Sequence, residues 1–406
     1  MIFHYNEVSM PYTRRILDLH KVLSHKSMFL FGPRQTGKSS YIKKQLLNSD
    51  FTKENNIALF WTLLDGRLRL KLLADIGLLR QEAEVRNLHD CVIVIDEIQK
   101  IPELLDEIHF LIEERNIRFL LTGSSARKLK NAGVNLLGGR ATERHFHPLC
   151  FAEVGTHENY TIPYIFEHGL LPSMFFSDDL DEELSAYINT YLTEEIAAEG
   201  AARNIPAFAR FLNTAALTNA QIINYTNIAN DAQIPVQTVR QWYQILEDTL
   251  LGYQIEPFTK TSKRKAITTA KFYFFDIAIA RALRNIPAPT ADTTEYGEYF
   301  EHLICMELKA WIDYTRPRSK LTYWRSTSNF EVDFCIDEEL AVEVKSSMNI
   351  TEKHLKGLRA LREENIFKRY IVVCQEEHPR HIDGIEILPW KYFLAELWGD
   401  EAKQSY

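Results

Sequence analysis

The sequence predicts an α/β protein: a parallel sheet covered by helices, then a helical middle segment, and then a smaller α/β region. Short apolar runs alternate with helical patterns up to about residue 151, which is typical of buried parallel strands. Residues 206–252 follow an almost unbroken helical pattern, and residues 298–406 return to a mixture of helices and strands. A chain of 406 residues has room for two or three domains of about 150 residues each.

Composition narrows the class of protein. The chain has 47 Lys and Arg against 55 Asp and Glu, a formal charge of −8, and 46% hydrophobic residues. These values exclude a wholly disordered chain and a basic coat for nucleic acid, so any DNA contact must come from local patches. Five cysteines lie in apolar runs without a CxxC pair, which predicts buried thiols in a reducing compartment. No apolar run approaches the length of a membrane span, so we expect a cytoplasmic protein without a membrane segment.

The first region contains its elements in a regular order. Apolar runs predict strands at 28–31, 57–64, 91–95 and 118–122, and a strand-like run follows at 144–149. Helical patterns are predicted over 67–86 and 103–114. His145 and His147 alternate on the last strand and are predicted to lie on the surface.

A phosphate-binding loop follows the first strand. Residues 32–39 fit the pattern G-x-x-x-x-G-K-[ST], between an apolar strand and a helix. Glycines let backbone N–H groups face phosphate oxygens, Lys38 would bridge the β- and γ-phosphates of ATP, and Ser39 would bind Mg²⁺. The plainer alternative is a glycine turn with a locally satisfied lysine. The residues predicted to bind the nucleotide are Gly32, Pro33, Arg34, Gln35, Thr36, Gly37, Lys38, Ser39, Ser40 and Asp96.

A second motif supports this interpretation. Four apolar residues, VIVI, end in Asp96 and Glu97, at the carboxyl end of a predicted strand. Asp96 would join Ser39 around Mg²⁺, and Glu97 would orient the attacking water as a catalytic residue. One strand lies between the two motifs and another follows them, which fits the additional-strand class of P-loop ATPases.

Two later features complete the predicted ATPase site. Thr122-Gly-Ser124-Ser125 ends the next strand, and it either senses the γ-phosphate or forms a small turn. Arg140, with Arg144 as second choice, is the candidate catalytic arginine that reaches the nucleotide of a neighbouring subunit. This role implies a homo-oligomer. The alternative is an arginine paired with local acids.

The middle segment fits a helix–turn–helix over residues 221–247, followed by a basic wing. Arg240 lies on the outward turns of the second helix, with Gln237, Thr238 and Gln241. The candidate phosphate-binding cations of the wing are Lys260, Lys263, Arg264, Lys265 and Lys271. The alternative is that the winged helix only packs against the ATPase or a partner protein. The basic segment would then be a solvated hairpin.

Carboxylates and a lysine recur in the last region. Strand alternation places Asp333 on one strand, and Glu343 with Lys345 on the next, toward one spot. Asp333 and Glu343 would hold Mg²⁺, Lys345 would act catalytically, and Glu301 would add an acid from a helix. The alternative is a buried charge network, which would retain the same three residues. This pattern resembles the PD-(D/E)XK nuclease superfamily, in which inactive members also occur.

The whole series of motifs resembles the bacterial and archaeal AAA-type ATPases that are fused to a DUF4143 region. The resemblance rests on GPRQTGKSS, VIVIDEIQKIPEL, LLTGSSARKL and LLGGRATERHFHPLCFAE, and continues through YINTYLTEEI, TVRQWYQILEDTLL, KFYFFDIAIARAL, GEYFEHLICMEL, EVDF and VEVKSS. Thr36 stands where many relatives have valine. The resemblance implies an ATPase, a winged helix and a nuclease-like domain on one chain.

We therefore expect three domains: an ATPase domain with a small helical lid at residues 1–200, a winged helix with a basic wing at 201–287, and a nuclease-like domain at 288–406. The first hypothesis is an ATP-hydrolysing protein that binds or remodels branched or duplex DNA, mostly through phosphate contacts. The sequence leaves open whether its nuclease-like domain also cleaves DNA with Mg²⁺. The second is an ATP-gated switch of the regulatory or defence type, with an inactive nuclease-like domain and a protein partner.

Overall fold

The structure is a computed structural model that describes residues 12–47, 56–125, 127, 129, 137–192 and 204–399. The expected domain boundary at residue 200 lies outside the described residues, as do positions 1–11 of the predicted first domain. None of the helices in the described part of the chain is both long and apolar enough to cross a membrane.

The first sheet is parallel throughout, as predicted. Its strands are ordered β2-β3-β4-β1-β5. They are β1 (Ser27–Phe31), β2 (Ile57–Thr62), β3 (Val92–Asp96), β4 (Arg118–Gly123) and β5 (Ala141–His145). All residues of β1 and β3 are buried, which explains their continuous apolar sequence.

Helices cover both faces of this sheet. They are α1 (His20–Leu23), α2 (Lys38–Tyr41, extended by a π-helical turn at Ile42–Leu46), α3 (Gly66–Ala74), α4 (Leu78–Val85) and α5 (Leu104–Arg115). Alternate residues of β1 serve different cores: Phe29 and Phe31 pack with α5, whereas Met28 and Leu30 pack with Tyr41. Short 3₁₀ turns lie at Ile98–Lys100 and Leu137–Gly139.

Two boundaries differ from the sequence prediction. The helix expected over 67–86 is divided into α3 and α4, because Asp75 is extended and its carboxylate accepts the Gly77 N–H at 3.0 Å. The strand expected at 144–149 begins three residues earlier, since β5 pairs with β1 from Ser27↔Ala141 to Phe31↔His145, where β1 ends.

The middle of the chain is mainly helical. Its helices are α6 (Phe151–Val154), α7 (Ile162–His168), α8 (Pro172–Phe175), α9 (Leu180–Ala186, followed by a π-helical turn at Tyr187–Leu192), α10 (Ile205–Leu217), α11 (Tyr225–Ala232), α12 (Val236–Asp248) and α13 (Ile277–Arg284). The helices α11 and α12 occur where a helix–turn–helix was predicted, and both contribute to one core with α10 and α13. Three strands accompany them: β6 (Gln221–Ile222), β7 (Gly252–Pro257) and β8 (Lys271–Phe274).

The last region contains the long helix α14 (Tyr296–Thr315), the three strands β9 (Leu321–Arg325), β10 (Glu331–Ile336) and β11 (Leu340–Val344), then a 3₁₀ turn at Glu352–Leu355, α15 (Lys356–Arg362) and β12 (Arg369–Cys374). This order agrees with the sequence pattern from residue 298 onward, which predicts a helix, three short strands, a second helix and a further strand. A further unit that the sequence analysis did not predict follows: β13 (Arg380–Ile382), β14 (Ile385–Pro389) and α16 (Trp390–Trp398).

A single nine-stranded sheet joins the middle segment to the last region. Its order is β13-β14-β12-β11-β10-β9-β7-β8-β6. The strands β7 and β9 pair in parallel through only two residue pairs, Glu256↔Thr322 and Pro257↔Tyr323. Helix α14 packs in one core with α6, α7 and α16. The sheet therefore continues across residue 288, where a domain boundary was predicted.

Candidate nucleotide site and carboxylate cluster

The predicted phosphate loop lies between β1 and α2. Gly37 has φ = 89°, in the left-handed region that favours glycine. A Cβ on Gly32 would lie 2.4 Å from the carbonyl oxygen of Phe146, so a larger residue would not fit there. Part of the loop lines a cleft of about 480 Å³ together with Leu64, Glu97 and Lys100; the lining residues from the loop and the start of α2 are Arg34, Gln35, Gly37, Lys38, Ser39 and Ser40.

Lys38 is 6% exposed, and its side chain folds back onto the start of the phosphate loop. Its Nζ donates to the carbonyl oxygens of Gly32 and, at 2.7 Å, of Pro33. The hydroxyl of Thr36 donates to the same Pro33 oxygen at 2.8 Å, so threonine has a local partner at this position. The lysine therefore already lies among the loop's backbone groups.

Asp96 lies at the centre of a group of hydroxyls, 1% exposed at the end of β3. Its Oδ2 accepts hydrogen bonds from Ser39 Oγ at 3.3 Å and Thr62 Oγ1 at 3.2 Å, and its Oδ1 accepts one from Thr122 Oγ1 at 2.5 Å. The structure thus brings Ser39 and Asp96 together. Hydroxyl and carboxylate oxygens next to a phosphate loop are a donor set that suits Mg²⁺.

Glu97 follows Asp96 in a left-handed conformation, with φ = 63°. Burial raises its pKa, and the nearby Lys38 partly opposes this shift. Its Oε2 accepts a hydrogen bond from Gln99 Nε2 at 2.6 Å, and the same nitrogen lies 3.1 Å from Ser124 Oγ. Gln99 thus links Glu97 to the end of β4, a connection that the sequence analysis missed.

The segment after β4 contacts the helical middle of the chain. Ser125 Oγ donates to the carbonyl oxygen of Asp248 at 3.4 Å, and Arg127 lies 3.5 Å from the Asp248 carboxylate. Asp248 is the last residue of α12. Residues next to the nucleotide site therefore contact the end of the second helix of the predicted helix–turn–helix.

Arg140 lies at the opposite end of the sheet from the phosphate loop. It precedes Ala141, which pairs with the first residue of β1, whereas the loop follows the last residue. Its guanidinium pairs with Glu113 near the end of α5. Arg144, on β5, donates to the carbonyl oxygen of Glu143, and burial lowers its pKa. Neither side chain is among the residues that line the cleft of its own chain.

Arg15 is a buried residue that the sequence analysis missed. Its Nε pairs with Glu153 at 2.7 Å, its Nη1 donates to the Thr36 carbonyl oxygen at 2.6 Å, and its Nη2 donates to that of His147 at 2.8 Å. The same Nη2 lies 3.3 Å from Tyr314 Oη on α14. One guanidinium thus holds the phosphate loop, α6 and α14 together.

His147 was predicted to lie on the surface, and this prediction was wrong. Its side chain is 13% exposed, because α14 packs beside β5 and brings Asp313 within 2.7 Å of His147 Nε2. Although burial opposes ionisation, His147 and Lys309 hold the pKa of Asp313 well below its usual value.

The predicted carboxylates of the last region do come together. Lys345 Nζ lies 2.6 Å from Glu343 Oε1 and 3.9 Å from Asp333 Oδ2. The Val344 N–H donates to the same Asp333 oxygen at 2.8 Å. Burial, reinforced by Asp333, raises the pKa of Glu343 to about 8. Burial also raises the pKa of Glu301, to about 7.

Lys271 joins this carboxylate cluster, which we define as Glu301, Glu331, Asp333 and Glu343. Its Nζ lies 3.0 Å from Glu301, 2.7 Å from Glu331 and 3.8 Å from Asp333. The prediction that Lys271 belongs to a wing and is available to phosphates was therefore wrong. The reason is the pairing of β8 with β7, which turns Lys271 and Tyr273 inward, and the Tyr273 hydroxyl donates to Glu301.

The carboxylate oxygens of the cluster suit a hard divalent cation, but the ammonium groups engage most of them. In the described part of the chain, no group of three or more His, Cys, Asp or Glu residues is arranged to hold a metal ion. Glu343 Oε2 is buried without a hydrogen-bond partner in the structure, and it is the candidate metal-facing oxygen.

The candidate DNA-contacting residues differ in their surroundings. Arg240 is exposed on α12, and its guanidinium lies 4.0 Å from the centre of the Tyr225 ring. Lys263 Nζ donates to the Glu363 carbonyl oxygen, and Arg264 pairs with the Glu363 carboxylate at 2.8 Å. Lys265 is exposed. Glu363, in the turn after α15, thus already engages part of the predicted wing.

Comparison with known families agrees with this arrangement. Residues 24–155, which contain the phosphate loop, Asp96 and Glu97, match the family described as AAA domain. The first region of the chain is an AAA domain. Residues 296–393 match the domain of unknown function DUF4143, and residues 162–290 match the domain of unknown function DUF8612. The AAA domain thus precedes a DUF4143 region, as the resemblance of the motifs implied.

Similar proteins occur in bacteria and archaea, each named only as an uncharacterized protein. One from Mycobacterium tuberculosis is 24% identical over 320 residues, covering 76% of this chain and 67% of that protein. One from Haemophilus influenzae is 23% identical over 393 residues, covering 91% and 93%. One from Methanocaldococcus jannaschii is 22% identical over 409 residues, covering 90% and 84%.

Among solved structures, the ORC1 protein of Aeropyrum pernix in complex with DNA has a TM-score of 0.29 and 13% identity, covering 66% of this chain and 91% of that chain. A similarity of this size supports no conclusion about function.

Proposed function

We propose that this protein binds and hydrolyses ATP in the cleft of its AAA domain and uses the nucleotide cycle to process DNA. The observation that carries the ATPase proposal is the contact of Ser39 Oγ with Asp96 Oδ2 at 3.3 Å, beside Lys38 and Glu97. A magnesium-binding pair, a phosphate-binding lysine and a candidate base thus lie around one cleft.

Each residue would have a defined task in this reaction. Lys38 would exchange the carbonyl oxygens of Gly32 and Pro33 for the β- and γ-phosphates of ATP. Ser39 and Asp96 would hold Mg²⁺, which neutralises the phosphate charge when it is bound. Glu97 would orient the attacking water and accept its proton, and its raised pKa makes it a stronger base than an exposed glutamate.

The ATPase proposal is tested by ATP binding and turnover of three variants. We expect Lys38→Ala to lose ATP binding, and Glu97→Gln to bind ATP but lose turnover by at least about 100-fold. Lys43→Ala, an exposed lysine in the π-helical turn that extends α2, is the matched control and is expected to be unchanged. A wild-type protein that does not bind ATP with Mg²⁺ would refute the proposal.

Support for DNA as the substrate comes from the exposed surface of α12. Gln237, Arg240, Gln241 and Gln244 are all exposed on this helix. Such a row of polar side chains on the second helix of a helix–turn–helix is suited to bases and phosphates. Because Lys263 and Arg264 have acidic or carbonyl partners, Arg240 and Lys265 would carry more of the contact.

The test measures ATP turnover with duplex DNA, single strands and four-way junctions. We expect one of these forms to stimulate turnover, and Arg240→Ala to weaken its binding and reduce the salt dependence by roughly one phosphate contact. Gln244→Ala tests whether the loss is specific to the charge, since Gln244 lies one helical turn further along.

An ATP-gated switch that acts on a protein is the second candidate. It is favoured by the backbone N–H groups of Ser262, Lys263 and Arg264, which all donate to the Glu364 carboxylate. The basic segment is thereby tied to its own chain rather than held open for DNA. ATP binding without stimulation by any DNA, together with a co-purifying protein, would favour this candidate.

We further propose that the carboxylate cluster supports Mg²⁺-dependent cleavage of DNA. Asp333 and Glu343 would hold the metal, and Lys345 would stabilise charge on the phosphate. The unpartnered Glu343 Oε2 supports this assignment. We expect Lys345→Ala to abolish cleavage while the protein stays folded; equal cleavage by both proteins would identify contamination.

A further inference from the structure

In the described part of the chain, the carboxylate cluster contains more carboxyl groups than cationic side chains. Its four carboxylates contact three cations: Lys271, Lys345 and Arg325, the last 3.1 Å from Glu331. If Lys271 were removed, four carboxylates would remain against two cations.

The oxygens of the cluster are divided between the two lysines. Asp333 Oδ1 lies 3.8 Å from Lys271, whereas Asp333 Oδ2 accepts the Val344 N–H and faces Lys345. Glu343 Oε1 pairs with Lys345, which leaves Glu343 Oε2 without a hydrogen-bond partner in the structure. Departure of Lys271 would release one oxygen of Glu331 and one of Asp333, whereas Glu301 Oε1 would keep the hydrogen bond from the Tyr273 hydroxyl.

Lys271 reaches the cluster from outside the region that supplies the carboxylates. It begins β8, within the segment 162–290, whereas all four carboxylates lie within residues 296–393. Its side chain is 4% exposed, and its Nζ also lies 5.4 Å from the centre of the Tyr323 ring. The side chain is thus fixed among the carboxylates, in contrast to Lys260, whose side chain is 69% exposed.

We propose that Lys271 is a tethered cation that occupies the place of a divalent metal in the carboxylate cluster, so that metal binding requires Lys271 to leave. This inference deepens the proposed metal-dependent cleavage and rests on it. In this proposal the position of β8, which begins with Lys271, decides whether the DUF4143 region binds a metal ion. An ammonium group 2.7 Å from a carboxylate oxygen takes the position that a cation would otherwise occupy.

The experiment measures Mn²⁺ binding to the full chain, without nucleotide, from the electron paramagnetic resonance signal of free Mn²⁺. The variants are Lys271→Met, which keeps the length of the side chain and removes its charge, and Lys271→Arg, which keeps the charge. Lys260→Met is the matched control at an exposed ion pair. We expect Lys271→Met to bind Mn²⁺ at least tenfold more tightly than the wild type. The Mn²⁺ affinities of Lys271→Arg and Lys260→Met should lie within twofold of the wild-type affinity.

Adding Glu343→Gln to Lys271→Met should cancel the gain, because it removes the oxygen that has no other partner. Should Lys271→Met fail to fold, Lys271→Met/Glu331→Gln restores the balance of charge and is compared with Glu331→Gln alone, again with at least a tenfold gain expected.

The outcomes separate this inference from the cleavage proposal. Equal Mn²⁺ affinity in the wild type and Lys271→Met would overturn the inference and leave the cleavage proposal intact. Tighter binding by Lys271→Met without DNA cleavage by any variant would support the inference and refute cleavage. No Mn²⁺ binding by any variant would overturn both, and Lys271 would then be a structural ion pair only.

Discussion

Replacing Arg15 by methionine is the most informative perturbation of the fold around the nucleotide site. The variant keeps an unbranched side chain at a position that is 3% exposed and removes the guanidinium. It leaves the Glu153 carboxylate buried without its charged partner, although the N–H groups of Ile16 and Cys150 still donate to it at 3.1 and 3.2 Å. The carbonyl oxygens of Thr36 and His147 also lose a donor.

The expected cost follows from these contacts. Removing one partner of a buried ion pair costs about 3–5 kcal/mol, because the other charge stays buried. Removing both charges should cost less, so we expect Arg15→Met/Glu153→Gln to be more stable than Arg15→Met. The coupling energy between the two positions should be at least about 2 kcal/mol. ATP binding should weaken as well, since Arg15 holds the backbone of the phosphate loop at Thr36.

The assay is a double-mutant cycle by urea unfolding of the full chain, combined with amide hydrogen exchange of the loop residues 34–40. The exchange measurement separates local loosening of the loop from global unfolding. The reasoning would be refuted by an Arg15→Met variant within 1 kcal/mol of the wild type, or by strictly additive effects of the two substitutions.

Three further predictions follow from the site and the core. Gln99→Leu removes the N–H donor that favours ionised Glu97, so the pKa of Glu97 should rise further; the acidic limb of the pH–rate profile should shift to higher pH, with turnover recovering as the pH is raised. Arg140→Ala should keep ATP binding within about twofold and lose turnover by at least about 100-fold. Mixing Arg140→Ala chains with Lys38→Ala chains should restore part of the turnover, because each Lys38→Ala chain would supply its arginine to a neighbour with an intact phosphate loop; no restoration would exclude an arginine shared between subunits. Burial raises the pKa of Glu307 to about 7 from the usual 4.5, so its stabilising contribution is complete below about pH 4.5 and is lost as pH rises through 7. This loss amounts to about 3 kcal/mol, and Glu307→Gln should flatten the decline of the melting temperature between pH 5 and 8.

The nucleotide site could be predicted because its residues are close together in local motifs. The phosphate loop and the pair Asp96-Glu97 each lie at the end of a continuous apolar strand, and parallel strands bring their carboxyl ends to one edge. Gln99 and Arg15 could not be predicted in the same way. Their partners are Ser124 in one case and Glu153 and Tyr314 in the other, which only the folded chain brings near.

The carboxylate cluster was predicted in part for the same reason. Alternation along β10 and β11 placed Asp333, Glu343 and Lys345 on one side of the sheet. Lys271 was assigned to a phosphate-binding wing because it lies near the end of a segment, residues 258–272, with five basic residues and no acidic one. Its true place depends on the register of β8 against β7, which pairs Ile255 with Lys271 and which no local pattern specifies.

The two-residue pairing between β7 and β9 bears on how this chain evolved. Separating the DUF4143 region from the segment before it would leave β7 and β9 as exposed edge strands with unpaired N–H and C=O groups. Such edges promote aggregation. We therefore expect gene fusion or fission at the connection before α14 to be selected against. The DUF4143 region and the segment before it should therefore be inherited together. Exchange of the AAA domain, by contrast, would leave the pairing of β7 with β9 intact.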